Sequence, residues 1–533
     1  MKATEAIDQL NPQKWGQTNC SDRLQLLNQV RGNLKEYGGE LAHADTEMKN
    51  GLMGEAHYND AISGVSTVVP MATAINACID LYESLKHGTM PKPISVNKVA
   101  DGLYDIHVFP SHTRDKIIYS GRKDILRVMG EPRQVNPMEK TAGVIAVLGA
   151  GNYSSALEMV KAIFLENCAV VHKPHHLNDK TDRIWAKIME PLAKHGVLSF
   201  CDADQGRELT ADERLSKIYF TGGTATAKAI MNATDTELVS ECGGNNPCII
   251  VPGDRPWTEK EIAHRATHII TIAKLNGGAV CGRTQTIVTS KNWTQREAFL
   301  AALKKAIVED TPAAGTYYPG SDEVTKSFLE AYPEAEILKP EGGKYKSADF
   351  MMITGVDEDS YSITHEAFCQ IIDEVALDTP ANAMGFLPRA VEFCNTRLLG
   401  TLGSAILIDE DTKSANQSVL DQAITDMEYG AVAVNTMPPM IFLNPYLTWG
   451  GNEEDKELVS GRGNFGNALC FENVEKSIII DNFMSPGHMM MTNKGAFDTL
   501  ATNMTRYAVE PDWINLLRMT GGAIVSSFKG KDF

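Results

Sequence analysis

The sequence predicts an α/β protein built on a parallel β-sheet. From residue 141 to about residue 253, short apolar strands alternate with segments that carry apolar residues at helical spacing. Strands of continuous Val and Ile are typical of parallel sheets whose two faces are covered by helices. The chain of 533 residues also exceeds the size at which one hydrophobic core usually stops growing. We therefore expect at least two domains, one of them a dinucleotide-type unit that binds ligands at the carboxyl ends of its strands.

The first part of the chain is predicted to be helical. Over residues 20 to 90, apolar side chains such as Leu24, Leu27 and Leu34 recur at helical spacing. Residues 95 to 140 differ, because short β-prone pieces (YDIHVF, KIIYS and ILRVM) stand between Pro, Gly and charged residues. We expect these pieces to form strands or an extended arm outside the main sheet.

The alternating region supplies the predicted parallel strands. They are GVIAVLG (143–149), CAVVHK (168–173), KIYF (217–220), ELVSE (237–241) and CIIV (248–251). A helix is predicted from about Glu261 to Leu275, where Asn276-Gly-Gly breaks it, and a second α/β region then runs to about residue 455. Near residue 475, FENVEKSIII is predicted to be an isolated strand. The helix PDWINLLRM is expected to end at Gly521-Gly522.

Composition and charge exclude several classes of function. The chain is 43% hydrophobic and 22% charged, as in ordinary soluble globular proteins. Its formal net charge of −18 argues against a nucleic-acid partner and against docking on anionic lipid. The N-terminus lacks the pattern of a secretory signal, and we expect no membrane span. The ten cysteines show no CxxC pair or zinc-type spacing, so we expect no metal site and a reducing, cytoplasmic compartment.

Three short stretches carry residues suited to catalysis. KLNGGAVCGRT places Cys281 after a Gly-Gly break at a helix end, where a thiol can be accessible as a nucleophile must be. TELVSECGGNNP places Glu241 at the end of a strand, where a partly desolvated carboxylate suits a general base. GAGNYSS places Asn152 where its amide can donate to a developing oxyanion. Each residue alone also has a structural explanation: a core thiol, a turn acceptor and a helix cap.

A fourth stretch is suited to phosphate. In FTGGTATAK, Gly222, Gly223 and Thr224 open a helix directly after a strand, and such helix N-termini bind anions well. Together and in this order, the four stretches resemble the aldehyde dehydrogenase superfamily. The resemblance covers about residues 20 to 483, because four further segments are also similar: AVVHKP (169–174), HEAFCQ (365–370), YGAVAVN (429–435) and WGGNEEDKELVSGRGNFG (449–466).

The resemblance implies a nicotinamide cofactor. Lys173 corresponds to the lysine that meets the cofactor ribose, Glu366 would bind the nicotinamide ribose, and Phe368 would pack near the nicotinamide. His176 stands where NAD-preferring members often carry a glutamate for the adenosine ribose, so NAD and NADP both stay open. The resemblance also implies that the glycine turn at the start of the FTGGTATAK helix meets the pyrophosphate.

The resemblance further implies a covalent mechanism. Cys281 would attack the carbonyl carbon of an aldehyde, and the Asn152 amide with the Cys281 backbone N–H would meet the oxyanion. Glu241 would activate the water that hydrolyses the thioester, which favours a carboxylic acid as product over transfer of the acyl group to coenzyme A. Lys161 matches the family's proton-relay lysine, the alternative being a solvated helix lysine. A coenzyme A-acylating enzyme and a catalytically silent member remain alternatives.

Substrate identity is indicated more weakly. The segment MPPMIFLNPYLTW (437–449) would lie along the substrate entrance by resemblance, with Asn435, Phe442 and Trp449 as candidate lining residues. Its apolar content suits a medium-chain, long-chain or aromatic aldehyde. The alternative is a buried loop that packs on its neighbour.

The resemblance also divides the chain into domains. A homodimer or homotetramer is implied, in which the arm and the strand near residue 475 pair with another subunit. The role of the C-terminal extension is open. The expected parts are an NAD(P)-binding domain (1–105 and 141–253), a catalytic domain (254–455), an oligomerisation arm (106–140 and 456–483) and the extension (484–533).

Overall fold

The computed structural model shows an α/β molecule organised around two large sheets. It describes residues 1–153, 156–311, 314–340, 348–453, 457–462, 465–485 and 497–527. The helices are α1 Ala3–Asp8, α2 Pro12–Gln17, α3 Cys20–Met53, α4 Asp60–Lys86, α5 Thr113–Ile118, α6 Ala156–Phe164, α7 Asp179–Ile188, α8 Glu190–His195, α9 Gly206–Thr210, α10 Thr224–Ala233, α11 Glu259–Lys274, α12 Arg296–Lys305, α13 Ser321–Ala331, α14 Ala383–Arg397, α15 Glu410–Ala415, α16 Gln417–Asp426, α17 Pro439–Phe442, α18 Phe497–Val509 and α19 Trp513–Ser527.

The strands connect these helices. They are β1 Ser95–Ala100, β2 Leu103–Phe109, β3 Lys123–Met129, β4 Val144–Leu148, β5 Ala169–Lys173, β6 Leu198–Phe200, β7 Lys217–Thr221, β8 Glu237–Glu241, β9 Asn246–Ile250, β10 Thr284–Ser290, β11 Glu336–Leu338, β12 Phe350–Thr354, β13 Ile371–Leu377, β14 Gly403–Leu407, β15 Ala431–Val434, β16 Thr448–Trp449, β17 Gly461–Arg462, β18 Phe465–Gly466 and β19 Val474–Ile480. The predicted α/β class with parallel sheets is confirmed.

The smaller sheet has six strands in the order β17-β8-β7-β4-β5-β6. Strands β4 to β8 pair in parallel, and β17 pairs antiparallel with β8 through Gly461 and Glu241. All five residues of β4 are buried, as expected for a strand covered on both faces. Because the strands are parallel, their carboxyl ends meet at one edge, and Lys173 and Glu241 both lie there.

The larger sheet has eleven strands in the order β1-β2-β3-β19-β15-β14-β9-β10-β13-β12-β11. The seven strands from β19 to β12 pair in parallel. Strand β9, which we assigned to the cofactor domain from its sequence, is a central strand of this second sheet. The sequence could not place it, because a buried Val/Ile strand has the same pattern in either sheet.

The predicted arm pairs within its own chain. Strand β19 pairs in parallel with β15 and antiparallel with β3, so the three arm strands extend the larger sheet of the same molecule. Pairing of the arm with another subunit stays a prediction. The hydrogen-bonding edge of β15 is satisfied intramolecularly, and β1 is left as the outer edge.

Two local predictions are also corrected. The piece KIIYS overlaps helix α5, which is capped after His112 and exposes its apolar Ile117. The C-terminal helix does not end at Gly521-Gly522 but continues through both glycines to Ser527. Glycine lowers helix stability by only about 1 kcal/mol, so packing of neighbours such as Ala523 decides the outcome.

Helices α3 and α4 pack against each other beside the smaller sheet. Asn19 caps the start of α3 by accepting from the Asp22 backbone N–H, and Gly54 ends the helix with a φ of 72°. Helix α4 has 27 residues and is long and apolar enough to cross a membrane by length and composition, contrary to our reading of the sequence. Of its most apolar window, 67% is buried inside the molecule, as in a core helix.

Candidate active site

The candidate nucleophile, Cys281, lies in the turn that connects helix α11 to strand β10. Helix α11 ends at Lys274, and Asn276 and Gly277 then adopt left-handed φ angles of 54° and 65° that redirect the chain toward β10. Cys281 follows at partial exposure. Its carbonyl accepts a hydrogen bond of 2.6 Å from the Asn246 side-chain amide, which also donates to the Arg283 carbonyl at 3.0 Å. Asn246 therefore fixes the Cys281 turn to the start of β9.

Glu241 is the last residue of β8 and is 1% exposed. Burial raises the pKa of its carboxyl, and interactions with the Cys281 thiol and the Trp449 indole partly oppose this rise. Within the described part of the chain, neither carboxylate oxygen has a partner at normal hydrogen-bond geometry, and neither does the Trp449 indole nitrogen. The carboxyl is thus held beside the thiol with its oxygens available.

The Cys281 thiol is protonated at neutral pH in this arrangement. Burial raises its pKa well above the ordinary range, and the nearby Glu241 and Glu366 carboxyls raise it further. The Gly282 backbone N–H works in the opposite direction. A thiol with a raised pKa needs an adjacent base to become a nucleophile, and Glu241 is in the position to accept its proton.

Asn152 is brought to the same turn. Its side-chain amide donates to the Ala279 carbonyl at 3.2 Å, two residues before Cys281. Its own carbonyl accepts from the side chains of Asn276 at 3.0 Å and Tyr317 at 3.3 Å. The glycine turn after β4 and the cysteine turn are therefore tied together, with the Asn152 amide between them.

Lys161 is buried on α6 rather than solvated. It is 8% exposed, and its ammonium group lies 5.6 Å from the Tyr219 ring centroid and 5.3 Å from that of Phe465. Burial lowers its pKa to about 8. The alternative of a solvent-facing helix lysine is therefore wrong, and the side chain has the shifted pKa that suits proton transfer.

A cavity of about 40 Å³ is lined by Glu158, Lys161, Phe442 and Trp449, and it adjoins the cysteine turn through Trp449. Trp449 forms part of its wall and also covers the cysteine turn, because a Cβ at Gly282 would fall 2.5 Å from the indole. Phe442 packs edge-on against Trp449 and against Tyr153, with ring centroids 5.8 Å and 5.5 Å apart. Phe442 and Trp449 thus lie together at the cavity, as the sequence suggested.

Asn435 is not brought to this cavity. It is fully buried with a φ of 59°, its side-chain oxygen accepts from the Ile408 N–H at 2.9 Å, and its amide donates to the Asp481 carbonyl at 3.3 Å. Its carbonyl accepts from Arg265 at 3.0 Å. We therefore correct its assignment as a substrate residue: it holds the end of β15 in a left-handed conformation.

The residues expected to hold the cofactor line the carboxyl edge of the smaller sheet. Lys173 ends β5, and partial burial lowers its pKa. Gly222 must be glycine because a Cβ would fall 2.6 Å from the Phe220 ring, whereas a Cβ at Gly223 would meet open space. Thr224 begins α10 and donates to the Val459 carbonyl at 2.7 Å. The N-cap residue of α10 is Gly223, which has no side chain to cap the first turn.

Glu366 and Phe368 approach the reacting residues from the second sheet. Glu366 is close enough to Gly243 that a Cβ there would fall 2.4 Å from its carboxylate, and burial raises its pKa to about 7. Phe368 has a φ of 49°, and its ring packs against Tyr318 at 5.0 Å. A half-buried carboxylate, a cationic side chain and a helix N-terminus are groups that fit the ribose hydroxyls and phosphates of a dinucleotide.

His176 lies at the edge of this region and is exposed. Its ring stacks on that of His175, with centroids 4.1 Å apart. His175 in turn reaches the glycine turn after β4, where a Cβ at Gly151 would fall 2.9 Å from the imidazole. Two imidazoles therefore occupy the position at which the resemblance implies an adenosine-binding glutamate in NAD-preferring members.

Sequence analysis missed three contributors to the site. The role of Asn246 could not be predicted, because the residues around it are typical of the start of an ordinary strand. Tyr153 and Glu158 were missed although a signal existed, since Glu158 is one of only two charged residues in the apolar helix ALEMVKAIF. A charged side chain that cannot reach water from such an apolar helix indicates an interaction with a buried partner.

Comparison with known proteins agrees with this geometry. Residues 124–320 match the model of the aldehyde dehydrogenase family. The fold of the chain is similar to that of a lactaldehyde dehydrogenase over 90% of this chain and 91% of that one, with a TM-score of 0.63 at 16% identity. Residues 124–320 therefore resemble the aldehyde dehydrogenase family in sequence, and the chain resembles solved aldehyde dehydrogenases in fold.

Other similarities to aldehyde dehydrogenases are of the same kind. Aldehyde dehydrogenase C of Pseudomonas syringae, solved as a mutant with NAD+ and octanal, has a TM-score of 0.62 at 18% identity over 90% of this chain and 89% of that one. Aldehyde dehydrogenase family 3 member A2 of Macaca fascicularis is 32% identical over 139 residues. That stretch is 24% of this chain and 27% of the macaque protein, so the match spans about a quarter of the relative's length.

Proposed function

We propose that this protein oxidises an aldehyde to the carboxylic acid with NAD or NADP. The observation that carries the proposal is the placement of Glu241, buried beside the Cys281 thiol with both carboxylate oxygens available. The overall reaction consumes the aldehyde, the oxidised cofactor and water, and it yields the acid, the reduced cofactor and a proton. Relatives of similar fold were solved with NAD+ and with NADP, which supports either cofactor.

The first step in the proposal forms a covalent bond to sulfur. Glu241 accepts the Cys281 proton, and the sulfur attacks the carbonyl carbon to give a thiohemiacetal. The Asn152 amide and the Cys281 backbone N–H donate to the oxygen that gains negative charge. Because these groups are held by Ala279, Asn276 and Asn246, little reorganisation is needed as the charge develops.

The second step releases the product. Lys173, the α10 N-terminus and Glu366 would hold the cofactor, which supplies the hydride acceptor when it is bound. Once the thiohemiacetal has lost its hydride, its carbon is a thioester carbon, and Glu241 must by then have passed the Cys281 proton on toward solvent. The deprotonated Glu241 then removes a proton from water, and the resulting hydroxide attacks the thioester carbon and expels the Cys281 thiolate. Lys161, with its pKa near 8, is in our proposal the group that passes the released protons outward.

The aromatic wall of the cavity supports a substrate whose carbon chain packs against rings. Phe442 and Trp449 provide this surface. A volume of about 40 Å³ accommodates roughly three water-sized groups, which favours a short chain over the medium or long chain suggested by the sequence.

The reaction class is tested by absorbance at 340 nm with a panel of aldehydes and both cofactors. We expect cofactor reduction in the absence of coenzyme A, and carboxylic acid as the product by chromatography. Cys281→Ala should abolish reduction while cofactor binding, measured by calorimetry, survives. Reduction that requires coenzyme A would establish the acylating alternative, and no reduction with any aldehyde would favour a silent member.

A further inference from the structure

The cavity contains an acidic group that the proposed reaction does not use. Glu158 lies on α6 and is 1% exposed, and its side chain lines the cavity together with Lys161, Phe442 and Trp449. A carboxylate is rarely buried unless it is paired, because leaving water is costly for a charged group. The surroundings of its two oxygens therefore show what it can bind.

Only one of the two oxygens is satisfied by the described residues. Oε1 accepts a short hydrogen bond from the Tyr153 hydroxyl and a second from the Thr221 hydroxyl at 3.3 Å. Oε2 is buried and has no hydrogen-bond partner in the described part of the chain. The first two contacts fix the carboxyl in place, and the second oxygen is left as a free acceptor.

Glu158 is near the reacting residues. Burial raises the pKa of the Tyr153 hydroxyl, which donates to Oε1. The nearby Glu158, Glu241 and Cys281 side chains raise this pKa further. The ring of Tyr153 packs against Phe442, which packs against Trp449 over the cysteine turn. Trp449 therefore borders both the cysteine turn and the cavity that Glu158 lines, and Cys281 and Phe442 pack against the same hydrophobic cluster.

We propose that Glu158 selects short aldehydes that carry a hydrogen-bond donor, a hydroxyl or an ammonium group, about three atoms from the carbonyl carbon. The donor would bind Oε2, and the intervening carbons would pack against Phe442 and Trp449. This inference rests on the proposed function, since it names the substrate class for the same site. Pairing a buried carboxylate with a donor removes a desolvation cost that an unsubstituted aldehyde leaves in place.

The test compares three aldehydes of equal chain length: propanal, 3-hydroxypropanal and 3-aminopropanal. In the wild-type protein, kcat/KM for at least one substituted aldehyde should exceed that for propanal by about tenfold or more, the value expected for a charge-assisted hydrogen bond. In Glu158→Leu the advantage of both substituents over propanal should vanish, so that the kcat/KM values of the three aldehydes agree within about threefold. Equal values for all three aldehydes in the wild type would overturn the inference, as would a preference that survives in Glu158→Leu.

A second variant separates the two donors and guards against misfolding of the first. Glu158→Gln keeps the shape and an acceptor oxygen but removes the charge, so it should lower the ammonium preference by about tenfold and the hydroxyl preference less. The same change at Glu190, an exposed residue at the start of α8, is the matched control and should leave the ratios unaltered. An unaltered ammonium preference in Glu158→Gln, in a protein that favours ammonium, would refute the role of the charge.

Failure of the proposed function is distinguishable from failure of this inference. Oxidation of propanal reports on the reaction, whereas the ratio between aldehydes reports on Glu158. If no aldehyde is oxidised, the Cys281→Ser variant is used for binding, and its melting temperature is measured with each of the three aldehydes. A larger rise with a substituted aldehyde than with propanal, lost in the Glu158→Leu background, would support the site, and equal rises would overturn it.

Discussion

At the scale of single residues, the site is built from acids whose protons are held more tightly than usual. Burial raises the pKa of Glu158 and Glu366 to about 7 and also raises that of Glu241. Burial also raises the pKa of the Cys281 thiol, and the Glu241 and Glu366 carboxyls raise it further. Glu158 and Glu366 are therefore close to a change of protonation near neutral pH, and raised pKa values of this kind suit general acid–base chemistry.

Glu241→Gln is predicted to uncouple the two steps of the reaction. Oxidation to the thioester should still release reduced cofactor, at a lowered rate because the thiol loses its nearby base, but hydrolysis should stall. Stopped-flow absorbance should show a burst of up to one equivalent per site, followed by a steady-state rate lowered by about 100-fold or more. Full steady-state turnover in this variant would exclude Glu241 as the hydrolytic base.

Glu158→Gln is predicted to change stability in a pH-dependent way. The folded-state pKa of about 7 lies above the ordinary value of 4.5, so the wild-type carboxyl makes no difference below about pH 4.5, where it is protonated in both states. As the pH rises from there through about 7, the buried carboxyl loses its proton. The free energy of unfolding decreases, because the folded protein then keeps a charged group out of water. The variant lacks this loss, so its melting temperature should rise relative to the wild type between those limits.

The measurement is differential scanning calorimetry over that pH range, with Glu190→Gln as the control that should show no such trend. A constant difference between Glu158→Gln and the wild type at all pH values would contradict the burial argument. A variant that is more stable but selects its substrate differently would agree with the general observation that functional residues often lower protein stability.

At the scale of elements, the site depends on one contact between two turns. The cysteine turn can approach the β16 strand only because residue 282 has no side chain, since a Cβ would fall 2.5 Å from the Trp449 indole. Asn246 fixes the same turn from the opposite side, through the Cys281 and Arg283 carbonyls. The nucleophile is thus held between a large aromatic ring and a side-chain amide.

Gly282→Ala is predicted to displace the cysteine turn. We expect kcat/KM to fall by about tenfold or more, because displacements of about 1 Å at a reacting group cost this much or more. In the Trp449→Phe background the smaller ring should relieve the overlap, so the added effect of Gly282→Ala should be smaller there. Additive effects in the double-mutant cycle would show that the two residues do not interact, and thermal melts of all four proteins control for folding.

The sequence predicted most elements but not their assignment to sheets. Strands β4, β5, β7 and β8 were predicted within about one residue, because their apolar runs are bounded by Gly, Pro and charged residues. The sheet that contains β9, and the pairing of β19 with β15, depend on long-range contacts that no local pattern encodes. The catalytic candidates were predicted by motif, whereas Asn246 and Glu158 depend on burial and partners, which only the structure shows.

At the scale of the whole molecule, the C-terminal helices complete the N-terminal helical layer. Helix α18 packs on α4, where the Asn76 side-chain amide donates to the Ala508 carbonyl at 2.7 Å. Lys35 forms an ion pair with Glu510 at 2.6 Å, and Thr505 lies against Gly64. The extension that had no predicted role therefore covers part of α4, a long apolar helix.

Removal of residues 497–533 is predicted to destabilise the protein. Exposure of the apolar side of α4 should lower the melting temperature by about 5 °C or more and increase binding of a hydrophobic dye. A shorter truncation, of residues 528–533, leaves α18 and α19 intact and serves as the control. An unchanged melting temperature in the longer truncation would show that the contact contributes little to the stability of the whole.

The contact between α4 and α18 can form only late in the synthesis of the chain. Asn76 and its partner Ala508 are 432 residues apart in the chain, so α4 leaves the ribosome long before the helix that covers it has been made. At bacterial or eukaryotic elongation rates of roughly 5–20 residues per second, this interval lasts tens of seconds. During that time an apolar helix of membrane-spanning length is without its cover. The nascent chain is therefore a substrate for chaperones, and a ribosome that stalls late releases a product whose exposed α4 favours aggregation.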